Sequence, residues 1–295
     1  MYNVFNVKNS TDWQLPLKSC LINFSVLKEL CCPAPFRSFS VKYVSRGNEK
    51  YTVNGHQYQI KTGEYLLANH FAEGVVEIDK EVKGICIDVA PDMLSEVVAS
   101  FRKPDTPLSD LNLDTFFNTP DFFENKYKAA QTYVGKFLNS LDLEVGKAQG
   151  NNYHFSTEFY FALAEKIVQD HIPVYRQLQM VSSVKPGTRK DLLRRVTKGK
   201  EYIDTNFILP LQVDAVAREC GLSEYHFYRL YKNVFGISPH QNIVQNRLAY
   251  GKHLIKQQYA SVSDAALASG FSDVHAFSKS FKKHFGFSPS LMIGK

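Results

Sequence analysis

The sequence predicts an α+β protein of two domains. The N-terminal part reads as a β-barrel or sandwich with a helical pair, and the C-terminal part as an all-α domain with two helix-turn-helix units. Three observations carry this. Short apolar runs with turn signals fill Phe39 to Val89, the apolar spacing becomes helical after Pro91, and one stretch near the C-terminus is written twice. The expected boundaries are 1–180 for the β-rich domain, 181–190 for a linker and 191–295 for the helical domain.

Phe39, Val41 and Tyr43 alternate with polar residues until SRGNE at 45–49 breaks the run. Tyr51 and Val53 then lead into Asn54-Gly55, the dipeptide suited to a two-residue hairpin with positive φ at both positions. Tyr58 and Ile60 follow, Gly63 turns the chain into YLLA, and VVEI (75–78) and GICIDV (84–89) add further strands. Short strands with frequent turn signals favour a sandwich or small barrel.

From Pro91 the period is helical, proline suiting a first helical turn. Tyr127, Ala130, Val134, Phe137, Leu138 and Leu141 share one face of a helix expected at 121–142. After KAQGNN, Phe155, Phe159, Ala162, Leu163 and Ile167 do the same for a helix at 153–172, giving an antiparallel pair. The stripes either cover the β-domain or meet a second copy of the chain. On the second reading Tyr127, Val134, Phe137 and Leu141 are the candidates for a homodimer interface.

VSSVKPGTRKD (181–191) is polar, contains Pro-Gly and separates two parts of opposite charge. Residues 1–188 carry 19 Lys and Arg against 21 Asp and Glu, whereas 189–295 carry 16 against 8. A basic excess confined to one third of the chain suits a polyanionic partner there. The five cysteines (Cys20, Cys31, Cys32, Cys86, Cys220) have no C-x-x-C spacing and are expected as reduced thiols in the cytoplasm. No apolar run is long enough for a transmembrane helix and no signal peptide is expected, so no membrane partner is expected either.

The duplicated stretch is GLSEYHFYRLYKNVFGISP (221–239) and GFSDVHAFSKSFKKHFGFSP (270–289). Each copy reads as helix, tight turn, helix. Gly221 or Gly270 ends the first helix, Ser223 or Ser272 can cap the second, and Gly236 or Gly286 stops it before a proline. Phe227, Leu230, Tyr231 and Val234 form the core stripe in the first copy, as Phe277, Phe281 and Phe285 do in the second. Tyr225, Tyr228, Arg229 and Lys232 are left on one outer face, and His275, Ser278, Lys279 and Lys282 on the other. Such side chains suit base edges and phosphates in a major groove. Between the copies, SPHQNIVQNRLAYGKHLIKQQ (238–258) holds no internal proline after its start. About 19 residues of helix span roughly 28 Å, and successive major grooves on one face of DNA lie about 34 Å apart.

With these motifs the C-terminal third resembles the DNA-binding domain of the AraC/XylS family of bacterial transcription regulators. The carriers are the two quoted copies and RLAYGKHLI between them. The resemblance implies seven helices, with DNA contacts from the third and sixth; these fall on Tyr225, Tyr228 and Arg229, and on Val274, His275, Ser278 and Lys279. The family often places tyrosine after each S-P-x-x, where this chain has Asn242 and Met292. FSVKYVSRGNEKYTVNGHQYQIKTGEYLLAN resembles the family's cupin-like sensor domain. It implies a cytoplasmic bacterial regulator, more often an activator, that responds to a small-molecule effector, forms a homodimer and works with RNA polymerase. The competing reading is a cupin-type enzyme or metal-binding protein with an accessory DNA-binding domain. That fold would need an H-x-H cluster, whereas His56 and His70 stand alone, and there is no G-x-S-x-G, phosphate loop or H-E-x-x-H. No catalytic residue, metal or cofactor is therefore expected.

Overall fold

The computed structural model describes residues 3–4, 20–34, 36, 38–101, 112–147, 155–182 and 185–292. The chain divides into two compact units, Met1–Arg176 and Gln177–Lys295. Among the described residues the first holds ten strands: β1 (Asn3–Val4), β2 (Leu21–Leu27), β3 (Leu30–Pro33), β4 (Phe39–Arg46), β5 (Asn48–Val53), β6 (His56–Lys61), β7 (Glu64–Ala68), β8 (Gly74–Ile78), β9 (Val82–Val89) and β10 (Asn125–Lys128). They form a six-stranded sheet in the order β1-β2-β9-β4-β7-β10 and a four-stranded sheet in the order β3-β8-β5-β6. Every pairing is antiparallel except β1 with β2. Val44, Leu66 and Val82 of one sheet and Val53, Ile60 and Ile78 of the other share one buried core. Asn54 (φ 48°) and Gly55 (φ 80°) join β5 to β6 in the left-handed turn that their dipeptide predicts.

Two strands escape the alternation rule. β2 pairs with β9 along its whole length, yet it places Asn23 and Ser25 toward the interior and Phe24 beneath the ring of Phe155. A strand covered on both faces, with polar residues inside, lacks the pattern of a half-buried strand. β3 is only four residues long.

The helices of this unit are α1 (Pro91–Ser100), α2 (Leu113–Phe117), α3 (Tyr133–Lys147) and α4 (Thr157–Gln179). The helix expected at 121–142 begins only at Tyr133. Before it, Asn125–Lys128 pairs with β7, and Ala129–Gln131 forms a 3-10 turn. Tyr127 is therefore a strand residue, its ring stacked on Tyr65 at 5.4 Å. α3 starts where Asp170 of α4 accepts the Tyr133 and Val134 N–H groups, at 3.0 and 2.9 Å. Further along, Phe137 meets Phe159 at 5.1 Å, so the two helices run antiparallel. Val134 (0% exposed) and Leu141 (5%) spend their apolar area inside the unit. These two are core, whereas Tyr127 and Phe137 each keep part of their surface.

His171 on α4 lies wholly buried among Phe117, Phe122 and Tyr127. Its Nδ1–H donates to the Ile167 carbonyl at 2.7 Å, while Nε2 has no partner among the described residues. Burial depresses its pKa to about 4.

The second unit is helical: α5 (Pro186–Asn206), α6 (Val213–Glu219), α7 (Glu224–Phe235), α8 (Pro239–Lys256), α9 (Val262–Ala268), α10 (Val274–Phe285) and a 3-10 turn at Pro289–Met292. The segment expected as a linker over 181–190 is helical from Pro186, because proline occupies the first turn and Lys185 the N-cap. No helix among the described residues is long and apolar enough to cross a membrane.

His171 makes the first unit acid-sensitive. Its folded pKa lies below the ordinary value of 6.5, so its contribution is complete above that pH and is lost as pH falls toward 4. The loss amounts to about 3 kcal/mol. Urea unfolding followed by circular dichroism between pH 7 and 4 should show a shallower fall for His171→Phe than for the parent. Parallel curves would remove His171 as the cause.

Candidate nucleic-acid interface and interior cavity

Each repeat in the second unit is larger than two helices. α5-α6-α7 and α8-α9-α10 are equivalent trios, and the first helix of each carries the same code: RVTKGKEYI at 195–203 and RLAYGKHLI at 247–255. In each trio the glycine admits the aromatic anchor of the third helix. A Cβ on Gly199 would lie 2.5 Å from the Phe227 ring, and one on Gly251 2.7 Å from that of Phe277. The arginines play parallel parts. Arg195 donates to the Gly221 carbonyl in the first turn, and Arg247 donates to the Phe207 and Leu209 carbonyls beside Gly270. The repeat legible in the helix-turn-helix pattern covers α6-α7 and α9-α10; the matching R-x-x-x-G-K-x-x-I at an offset of 52 is the signal that extends it to α5 and α8.

Gly221 (φ 66°) and Gly270 (φ 88°) make the turn, and Gly236 (φ 75°) and Gly286 (φ 84°) end α7 and α10. Ser223 caps α7 by accepting the His226 N–H. In the second unit the cap is Asp273, which accepts the Ala276 N–H at 2.7 Å, and Ser272 only hydrogen-bonds to that carboxylate. The one extra residue in the second turn moves the cap along by one. Phe227, Tyr231, Phe277 and Phe281 are all fully buried.

These anchors turn the opposite faces outward. Tyr225, Tyr228, Arg229 and Lys232 are exposed on α7; His275, Lys279 and Lys282 are exposed on α10, with Ser278 half-buried between them. Val274 differs, being partly buried against the core of the second unit. The Arg229 guanidinium lies over the Tyr225 ring at 5.6 Å and reaches its hydroxyl at 3.4 Å, which holds the cation extended along the outer face.

α8 is fastened over its first half. A capping box of Ser238 and Gln241 starts it. Asn242 Nδ2 then donates to Asp204 Oδ1 at 2.8 Å and to Tyr231 Oη at 2.9 Å, and Asn246 adds a bond to the same carboxylate. Burial alone would raise the Asp204 pKa, but Lys200, Asn246 and Asn242 outweigh it and hold the carboxyl below its usual range. The departure from tyrosine at Asn242 thus becomes a polar bolt joining α5, α7 and α8. Met292 packs against the second core.

In the β-unit a cavity of about 150 Å³ opens between the sheets, with Asn23, Ser25, Lys42, Glu49, Cys86 and Asp88 in its wall. No group of three or more His, Cys, Asp or Glu among the described residues is placed to hold a metal ion.

A family model described as a helix-turn-helix domain matches residues 216–293. The Msm operon regulatory protein of Streptococcus mutans is 32% identical over 253 residues, covering 86% of this chain and 83% of that protein. Other relatives match over the last third alone: LumQ, a probable transcriptional regulator of Photobacterium leiognathi, at 33% identity over 30% of this chain and 36% of its own length, and the transcriptional activator RhaS of Escherichia coli at 34% over 30% and 32%. The chain thus spans about a third of the length of these two. A crystal structure of a regulator with an AraC-type DNA-binding domain from Chromobacterium violaceum covers 34% of this chain and 89% of its own at 28% identity and a TM-score of 0.32.

Gly199→Ala and Gly251→Ala should each destabilise the helical unit. Overpacking against a buried ring costs ~1–3 kcal/mol, more than the propensity gain of at most ~1 kcal/mol. Thermal unfolding of the two variants checks this; unchanged or raised midpoints would show that the rings can move aside.

Proposed function

The chain belongs to the AraC/XylS family of transcription regulators, and from that membership we propose that it activates transcription from promoters it grips in two successive major grooves. The observation that carries the reading is the pair of matched outer faces, on α7 and α10, joined by one continuous helix of 18 residues. At ~1.5 Å per residue that helix is about 27 Å long, comparable with one turn of duplex. Tyr225, Tyr228 and Arg229 read bases in one groove, and His275, Ser278 and Lys279 in the next, with Val274 at the edge of that face. Lys232 and Lys282, nearer the C-terminal ends of their helices, meet phosphate.

The N-terminal unit receives a small-molecule effector, and the support for this is its mainly apolar interior cavity with several polar side chains in the wall. Pairing of two copies uses the outer face of α3. Tyr133 (51% exposed) and Leu143 (65%) lie there with Phe137 at the flank, and among the described residues no contact buries the first two. The bound pair presents RNA polymerase with a surface beside the promoter, as the activator names of RhaS and of the lactose operon activator of Staphylococcus xylosus suggest. These roles belong in the bacterial cytoplasm. An enzymatic role finds no support in the side chains described above.

Arg229→Ala should weaken binding at the preferred site by ~1–3 kcal/mol, with little change on random duplex. Lys282→Ala should weaken both alike and flatten the salt dependence. Fluorescence anisotropy at several salt concentrations separates the two, and equal losses on both duplexes for both variants would refute the division. Tyr133→Glu with Leu143→Glu should yield a folded monomer in sedimentation; a variant that still dimerises would place the interface elsewhere.

A further inference from the structure

We propose that Lys42 and Cys86 are a site of oxidative modification, joined under peroxide through one oxygen atom into an Nζ–O–Sγ bridge between β4 and β9. The bridge involves only side chains of this chain and needs no ligand in the cavity.

Lys42 and Cys86 are directly opposed in the antiparallel pairing of β4 with β9, so their side chains stand together on one face of the sheet. Lys42 Nζ lies 2.6 Å from Cys86 Sγ. N–H···O bonds run at about 2.7–3.2 Å, and sulfur, the larger atom, holds a donor farther off. The separation is short for a hydrogen bond to sulfur and suits two single bonds meeting at a shared atom.

The lysine also forgoes better partners. Glu49 and Asp88 line the same cavity, yet among the described residues neither carboxyl group lies within ion-pair distance of Nζ. Asp88 instead accepts a hydrogen bond from Ser40, and Glu49 one from Tyr51. A carboxylate is the stronger acceptor for an ammonium, so the fold holds this lysine on the thiol against its simplest electrostatic preference.

An oxidant can reach the pair. β4 and β9 are flanked by strands on both sides, but Lys42 and Cys86 keep accessible surface and both line the cavity of about 150 Å³. Peroxide is little larger than water, which needs only about 10–15 Å³.

Peroxide gives one oxygen to the sulfur, forming the sulfenic acid and a water. The ammonium passes a proton to a neighbouring carboxylate, and a second peroxide gives its oxygen to the free amine, forming a hydroxylamine and a second water. The hydroxylamine oxygen then attacks the sulfenic sulfur. An S–O bond forms, and the sulfenic hydroxyl leaves with the hydroxylamine proton as a third water. One thiol, one amine and two peroxides thus give one bridge and three waters. Sulfur and nitrogen lose two electrons each, and the peroxides take up all four.

The product ties two inner strands together and removes the Lys42 cation from the cavity wall. Burial pushes the Cys86 thiol up to about 11, and the thiolate is the form that attacks peroxide. Burial would lower the lysine pKa, but Cys86, Asp88 and Glu49 outweigh it and hold the group above its ordinary range. Both groups therefore react slowly at neutral pH and faster as pH rises.

The test treats full-length protein with hydrogen peroxide, alkylates the remaining thiols under denaturation and digests with trypsin before mass spectrometry. A bridged Lys42 resists cleavage, so residues 38–46 should appear joined to residues 84–102. The joined mass should equal that of the two peptides plus one oxygen less two hydrogens. Its yield should rise with pH and be at least about 10-fold higher in folded protein than in urea, because the fold aligns the two groups. Lys42→Arg and Cys86→Ser, each confirmed as folded by circular dichroism, should give no joined pair. If either variant fails to fold, the comparison of folded parent with urea decides alone. A joined pair without the oxygen means a direct S–N bond and overturns the bridge. Cys86 recovered as sulfinic acid beside unmodified Lys42, or alkylated in full, overturns the pairing. Equal yield in urea overturns the site.

Discussion

The helical unit depends on one shared element, the helix Pro239–Lys256, which belongs to both DNA-reading trios at once. Its first half is bolted to the first trio by the Asp204, Tyr231 and Asn242 hydrogen bonds. Its second half receives Phe277 at Gly251. Because a single helix serves as exit from one trio and entry to the next, no hinge lies between the two packed cores. The Asp204 carboxylate keeps part of its surface in solvent, and an ammonium and two amides hold the rest, so the bolt carries no unpaired charge.

The two reading faces share a layout and differ in stiffness. On the first, Arg229 rests on the ring of Tyr225, which restricts its side-chain freedom. On the second, His275, Ser278, Lys279 and Lys282 carry no aromatic support from their own face. A planar, forked cation on one face and flexible ammonium groups on the other give the two faces different chemistry.

The helical third was legible in the sequence because its turns need special residues. Gly221, Gly270, Gly236 and Gly286 occupy left-handed positions that few other residues adopt, and Pro239 and Pro289 mark the following turns. The larger trio was harder to see, since Gly199 and Gly251 are ordinary in φ and are required only by rings far along the chain. In the β-unit the hairpin at Asn54-Gly55 announced itself, whereas β2 did not, because its inner face is half polar. The stripe that ran from Tyr127 to Leu141 joined two different structures. Its start is a strand whose tyrosine stacks on a neighbouring strand, and helical spacing alone cannot distinguish that from a turn of helix. The cavity was invisible for a related reason: Asn23, Lys42, Glu49 and Asp88 meet only through strand order and register, which no local pattern encodes.

A shared helix between two reading heads behaves as a screw thread. Each residue advances the axis by ~1.5 Å and turns it by about 100°. One inserted residue within Pro239–Lys256 would thus change the separation of the heads very little but swing the second head more than a quarter turn around the first, away from the duplex. Surface loops absorb such length changes readily. The phase between the two heads is fixed by counting residues, and that part of the chain is the least free to vary in length.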